Sequence, residues 1–337
     1  VRHLIFLFAD HFEPRSAEAV AAWRQGYPEV AGAFTDSDGR SPRHTWFYDG
    51  EDPAVLDSLG ALCRLGLGEI EVHLHHSRDT ADGLREKLER RKTAYARSGA
   101  LITVGPNPVS TFGFVHGKWS LDNSRGDEHC GVNNELAVLR QANCYADFTF
   151  PAWGRMQPRK YNSIYYAAGD PARPKSYDTG EDVRVGGKPS GDLMIFQGPG
   201  RLSGVPVLAG RIPALPWIAD RLRLTCSMEA HMPPRPQRVD RWVAANVGVV
   251  GRPEWIFVKV HMHGARPQNF SAYFNSGMQQ LHSHLAKRYK DGSAWRLHYV
   301  TAREAYNIVK AAEAGKAGDP NTHRDFAIAP YVNTRSL

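Results

Sequence analysis

Cysteine is scarce in this chain. The four present, Cys63, Cys130, Cys144 and Cys226, form no C-x-x-C pair, so their spacing offers neither a zinc knuckle nor a disulfide framework. Free thiols in a reducing cytosol are the expectation. Long apolar runs are lacking too: none approaches the roughly 20 residues of a membrane span. The N-terminal LIFLF is too short for a signal-peptide core, is followed by no A-x-A-like site and runs into Asp10. It reads as a buried strand, and the protein as cytoplasmic. No Gly-rich phosphate turn follows that strand, which argues against an open doubly wound sheet. No block of one charge sign stands out either. The formal net charge of +7 is spread along the chain, with short clusters such as REKLERRK and RPQRVDR that suit solvated faces. No nucleic-acid-binding motif occurs, so no such partner is expected. The positive surplus suits anionic substrates.

What is present is an alternation of strand-like and helix-like segments. Strand patterns cover 3–9, 43–48, 69–75, 112–117, 144–150, 193–197, 256–262 and 295–300, and helical patterns lie between most of them at 16–31, 53–65, 80–98, 133–142, 271–289 and 301–314. Asp52-Pro53 reads as an N-cap followed by proline at the first helical position. Thr301 and Glu304 form a capping box. This order predicts an α/β protein, a distorted (β/α) barrel of seven or eight strands. Residues 1–315 form its single domain, 151–192 a long substrate-facing insertion after the fifth strand with a hairpin near its end, and 316–337 a tail on the surface.

Histidines and carboxylates gather where the strand patterns stop. In EIEVHLHH, alternation puts Glu71, His73 and His75 on one face, and His76 opens the loop. Three histidines so close at a strand end are a metal-ligand signal. In LIFLFADHFEP, Asp10 follows an unbroken apolar run, and a buried carboxylate there requires a cation or a hydrogen-bonded partner. His11 and Glu13 follow it. VHMHG repeats the pattern with His261 and His263 on a shared face, each a candidate ligand or general acid. Asp147 lies in a strand pattern of its own. His3, His282, His284 and His323 read as surface residues. Trp46, Tyr48, Trp119, Trp153, Tyr161, Tyr165 and Tyr166 are candidates for stacking on sugar rings or for core packing.

In these phrases and their order the chain resembles the polysaccharide deacetylase superfamily (NodB-homology barrels) over most of residues 1–310. LFADHFEP, EIEVHLHH, FVHGKWSLDNSR, ADFTFPA, RKYNSIYYA and VKVHMHGA carry the likeness. The resemblance implies metal-dependent removal of an N- or O-acetyl group from a polysaccharide or oligosaccharide, with a zinc-bound water as nucleophile. It implies a divalent metal, Zn2+, on Asp10, His73 and either His75 or His76. Asp10, Glu13, Asp147 and His261 are its catalytic candidates. His116, Trp119, Asp122, Arg159, Asn162, Tyr165 and His263 are its carbohydrate contacts. Two departures accompany it: Ala9 stands where the family's base aspartate belongs, and Ser77 where its second histidine belongs. A glycoside hydrolase using Glu13 and Asp147, and a non-catalytic glycan-binding protein, are the alternatives.

Overall fold

The structure, a computed structural model, describes residues 1–152, 154–200 and 226–334. Its centre is β1 (Arg2–Phe12), which is buried after its first residue. One edge of β1 pairs with β9 (Trp255–Met262) from His3 to Asp10. The other edge pairs first with β10 (Trp295–Tyr299) and then, from Asp10 onward, with β2 (His44–Tyr48). The sheet continues in parallel through β3 (Gly68–Leu74), β4 (Phe112–His116), β5 (Cys144–Asp147) and β8 (Leu193–Phe196). These eight parallel strands are the eight expected from the apolar runs. Their common direction puts all their C-terminal ends, and the residues that follow, at one rim.

The insertion adds two short strands instead of a separate hairpin. β6 (Ile164–Ala167) runs antiparallel to β8, and β7 (Glu181–Asp182) antiparallel to β6. Isolated bridges join Arg184 to Val250 and Val247 to Phe257.

Alternation divides the core in two. Leu4, Phe6, Phe8 and Phe12 face one cluster, which also contains Trp23 and Tyr27 of α1 (Ala17–Gly32), Leu56 and Leu59 of α2 (Pro53–Arg64) and Leu84 and Leu88 of α3 (Ala81–Ala96). Leu136 and Leu139 of α4 (Glu135–Gln141), Trp242 of α5 (Pro236–Ala244), Tyr273 of α6 (Phe270–Phe274) and Leu281 of α7 (Ser276–Tyr289) join the same layer. Ile5, Leu7 and Ala9 face the other way, onto Phe47, Val115, Phe148, Phe196, Phe257 and the apolar side of α8 (Ala302–Glu313). Each such side chain contributes roughly 1.5–3 kcal/mol by leaving water.

Local signals set the helix starts. The Asp52 carboxylate accepts the Ala54 N–H at 2.9 Å ahead of α2. Thr301 and Glu304 close the capping box ahead of α8 at 3.3 and 2.9 Å. Thr80 caps α3 through the Gly83 N–H. α5 carries no strong apolar run and went unpredicted.

The C-terminal tail is not a surface appendage. Tyr331 is buried and donates to Glu71 at 3.0 Å, and buried Arg324 meets Glu304 and Asp36 at 3.2 and 3.3 Å. His3 and His282 are buried as well. His282 bonds the Tyr299 hydroxyl at 2.8 Å, because α7 turns it inward beside Phe8 and Phe34. His284 and His323 are half-buried. Among the described residues, no helix is long and apolar enough to cross a membrane.

Candidate metal centre

The inward parity of β1 continues past Ala9 to His11 and, just beyond the strand, Glu13. On β3 the same face carries His73 and His75. The three side chains meet at the rim: His73 Nε2 and His75 Nε2 stand 3.0 and 3.1 Å from one oxygen, Oε1 of Glu13. His73 is fixed from behind, since its Nδ1 lies 2.9 Å from the Val115 carbonyl oxygen. An N–H there leaves Nε2 of the neutral ring as a lone pair aimed into the site. His75 packs over Gly117, where a Cβ would stand 2.4 Å from its ring, so Gly117 must lack a side chain. Burial opposes ionisation of Glu13, but hydrogen bonding with the two histidines, which at His73 requires a proton beyond the neutral ring, prevails and holds its carboxyl well below the usual range. Asp49 Oδ2 stands 3.9 Å from His75, and Arg266 4.0 Å from the outer oxygen of Glu13.

β9 lies beside β1 with Ala9 opposite His261, which brings His261 and His263 next to His11. The His11 ring centroid lies 5.1 Å from that of His73, 5.7 Å from His261 and 5.3 Å from His263. Trp119 covers the group, 5.9 Å from His11 and 6.3 Å from His263. His11 is buried, and its Nε2 has no hydrogen-bond partner among the described residues. Burial pushes its pKa well below the ordinary value and that of His261 down to about 3, with the neighbouring histidines adding to the effect. Both rings are therefore neutral at neutral pH, able to accept a proton or ligate. His263 differs: its Nδ1 is held 2.8 Å from Glu229 Oε1, in a segment bridged to β9 between Ser227 and His261. A cleft of about 530 Å³ reaches the site beside Glu13, Arg15, Ser16 and Arg266.

Several expected site residues lie elsewhere, most of them because of strand parity. Asp10 points to the helix layer, where its carboxylate meets His44 Nε2 at 3.0 Å and accepts the Gly264 N–H at 2.6 Å. The buried aspartate thus has hydrogen-bonded partners, and it belongs to no group of potential metal ligands. Asp147 is buried beside Phe114 and Ile195 in register, with its two oxygens taken by the Thr149 hydroxyl and N–H at 2.6 and 3.1 Å. Burial raises its pKa, and the nearby Lys259 ammonium opposes that. Lys259 itself is buried and donates to the Phe148 carbonyl.

His76 and His116 leave the rim face together. Leu74 and His116 are register partners on the helix side, and both histidines meet Glu135 there. Asp122 is buried and anchors the insertion by accepting the Ser176 N–H at 2.7 Å. Tyr165 is buried in the helix layer and donates to the Tyr177 carbonyl at 2.6 Å. Arg159 is exposed beside Asp178. Asn162 lines a separate cleft with Arg252 and Trp255, at the start of β9. Among the expected aromatics, Trp119 stands with the histidines, Trp46, Tyr48, Tyr165 and Tyr166 are core, Tyr161 is exposed, and Trp153 lies outside the described residues.

Glu229 and Arg266 were missed because neither sits at a strand end. The shared parity of Ala9, His11 and Glu13 was the signal that could have ranked Glu13 above Asp10.

Among the described residues three groups of side chains have donor atoms close enough to hold a metal ion: Glu13, His73 and His75; His76, His116, Cys130 and Glu135; and His3, His298 and Asp319. The first reaches solvent at the rim and the second is fully buried. The third lies at the opposite end of β1, where His298 is held by Asp38 at 2.8 Å. Comparison with protein-family models, curated proteins and solved structures returned no match.

Proposed function

We propose that this protein is a metal-dependent hydrolase that removes an acetyl group from a carbohydrate, with its reaction centre at Glu13, His73 and His75. The observation that carries the proposal is the convergence of two imidazole nitrogens and one carboxylate oxygen at the C-terminal rim of a parallel sheet. That is where β/α folds place their chemistry. In this proposal the sheet closes into a distorted barrel. The Arg184–Val250 and Val247–Phe257 bridges link the insertion strands to β9 and so back to β1.

The donors fit a divalent ion such as zinc. They are borderline nitrogen and oxygen ligands, two of them directed at one point, and the site keeps a solvent-facing side. An ion bound there supplies activation of water and polarisation of the acyl carbonyl. The remaining work falls to the chain. The Val115 carbonyl orients His73, as a backbone acceptor does behind many ligating histidines. Glu229 holds the Nδ1 side of His263, leaving the other nitrogen to take and return a proton. Trp119 offers a flat apolar surface to a sugar ring. Arg266, beside Glu13, attracts the released carboxylate. Glycoside hydrolysis through Glu13 and Asp147 is disfavoured, because both Asp147 oxygens are engaged by Thr149.

The test is acetate release from N-acetylated and O-acetylated oligosaccharides by zinc-loaded protein, read by proton NMR. Acetate from the native chain and none from Glu13→Ala is the expected result. New reducing ends without acetate, or tight glycan binding with no turnover in any metal, would sink the proposal.

A further inference from the structure

A second set of ligand-type side chains lies on the other side of the sheet, between the ends of β3 and β4 and the start of α4. His76 Nε2 is 3.0 Å and His116 Nε2 3.5 Å from Glu135 Oε1, and Cys130 Sγ is 3.4 Å from Glu135 Oε2. Donors on a tetrahedral zinc, at bond lengths of about 2.0–2.3 Å, stand roughly 3.3–3.8 Å from one another. The donor atoms of all four residues lie within 4.8 Å of each other.

We infer that His76, His116, Cys130 and Glu135 bind a structural zinc ion, distinct from the rim centre. Three further observations support the site. His116 is oriented by its far nitrogen, with Nδ1 2.6 Å from the Gly117 carbonyl, and the Asp79 carboxylate stands 3.2 Å from His76 Nδ1 without hydrogen-bond geometry. A backbone carbonyl behind the ring is the outer support ligating imidazoles receive, and it turns the His116 Nε2 lone pair inward. Asp79 is in turn held by Lys87 at 2.8 Å, and Glu135 Oε2 by the Asp122 N–H at 2.6 Å.

His116 is fully buried and its Nε2, facing the group, has no hydrogen-bond partner among the described residues. A buried nitrogen without a partner is costly, and a cation at the centre of the four donors satisfies it. The chemistry also selects the metal. One thiol, two imidazoles and a carboxylate make a mixed soft and borderline set, and all four positions come from the protein. Closed four-ligand sites of this kind are structural zinc sites, whereas catalytic ones keep a position open.

The placement says what the ion holds. His116 precedes, and Cys130 and Glu135 follow, the polar loop that carries Trp119 over the rim histidines. Within that loop Lys118, Trp119, Asp122 and Asn123 all have left-handed backbone, with φ between 52° and 57°. Lys118 and Trp119 lack the short polar side chain that lets Asp and Asn adopt that conformation readily, and they hold it at a cost that their surroundings offset. A zinc ion joining both ends of the loop to β3 and α4 supplies such support.

The experiment is metal analysis and X-ray absorption on the full chain, native and Glu13→Ala/His73→Ala. The expected result is a zinc with one sulfur scatterer in both proteins, one equivalent of it remaining in the variant. Cobalt substituted into that variant should show a thiolate-to-metal charge-transfer band that Cys130→Ser abolishes. A folded variant that holds no metal after reconstitution, or holds it without sulfur, overturns the inference. Retention of the sulfur-ligated zinc by a protein that releases no acetate would leave this site standing and remove only the proposed activity.

Discussion

His73 faces the Glu13 carboxylate with Nε2 at 3.0 Å while its Nδ1 lies 2.9 Å from the Val115 carbonyl. Since a carbonyl only accepts, Nδ1 is the protonated nitrogen. In the neutral ring Nε2 is then a lone pair directed at a carboxylate oxygen, and the contact requires a cation, either a proton or a metal. His75 Nε2 meets the same oxygen at 3.1 Å. The proposed centre follows from this pair of contacts. Glu13→Gln keeps the size of the side chain and removes its charge. It should lower metal content by about one equivalent and deacetylation by at least about 10- to 100-fold, since losing a ligand weakens a site no less than losing the outer support of one. Elemental analysis beside an acetate assay checks it. Unchanged metal content would remove Glu13 from the ligand set.

Asp10 predicts the opposite pattern. Its carboxylate is committed to His44 and the Gly264 N–H, and a Cβ on Gly264 would stand 2.0 Å from Asp10 Oδ2. Asp10→Ala leaves both donors buried without an acceptor, which costs about 2–3 kcal/mol. Urea unfolding should show that loss while metal content stays unchanged. A variant of native stability that has lost metal would return Asp10 to the reaction centre.

These two residues show how far the sequence could be read. All eight parallel strands were legible, because each is an apolar run closed by a polar residue. The rim followed from them. The assignment within the rim required parity. Asp10 looked more important than Glu13 because a buried charge is conspicuous, yet Phe8, Asp10 and Phe12 share the helix-facing side whereas Ala9 and His11 share the inner one. β7 escaped notice since a strand of two residues has too little alternation to detect, and β6 since its four residues lie within a long stretch that reads as an insertion. Cys130 and Glu135 were invisible for another reason. Cys130 closes the polar loop after β4 and Glu135 opens α4, with no recognised ligand spacing between them and the histidines, and only the folding of that loop against α4 brings them to His76 and His116.

His282 sets an acid limit on stability that owes nothing to either metal group. It is buried against Phe8, Phe34 and Tyr299, and burial brings its pKa from 6.5 down to about 3. Between those values the unfolded chain binds a proton that the folded chain refuses. Stability is therefore complete above about pH 6.5 and falls as pH drops toward 3, by at most about 1.4 kcal/mol per pH unit for this one group. His282→Phe preserves the ring and removes the titration. Urea midpoints measured between pH 6.5 and 4.5 should fall less steeply in the variant. Parallel curves would show that His282 does not titrate in this range.

In the proposed function Trp119 holds substrate and not metal. Its ring borders His11, His261 and His263, and none of the three ligand groups includes it. Trp119→Ala should raise KM about tenfold, an aromatic contact being worth roughly 1–1.5 kcal/mol, with metal content unchanged. Trp119→Phe should recover most of the loss. A fall in kcat at constant KM would instead make Trp119 part of the chemical step.

Glu229 acts, in this proposal, through His263. The carboxylate sits 2.8 Å from His263 Nδ1, and hydrogen bonding to that ring, against the opposing effect of burial, lowers its own pKa. It is thus ionised at neutral pH, fixes which His263 nitrogen carries the proton, and stabilises the imidazolium formed when the other nitrogen takes one up. Glu229→Gln keeps a hydrogen-bonding group in place but removes the charge. It should lower kcat about 10- to 100-fold, within the range that a positioned acid–base group contributes, and leave KM and metal content near native values. The pH–rate profile distinguishes this from a merely structural role. Loss of the negative charge beside the ring should move the acid limb of the profile to lower pH. A reduced rate with an unmoved acid limb would mean that Glu229 only supports the segment beside β9 and that another group carries the proton.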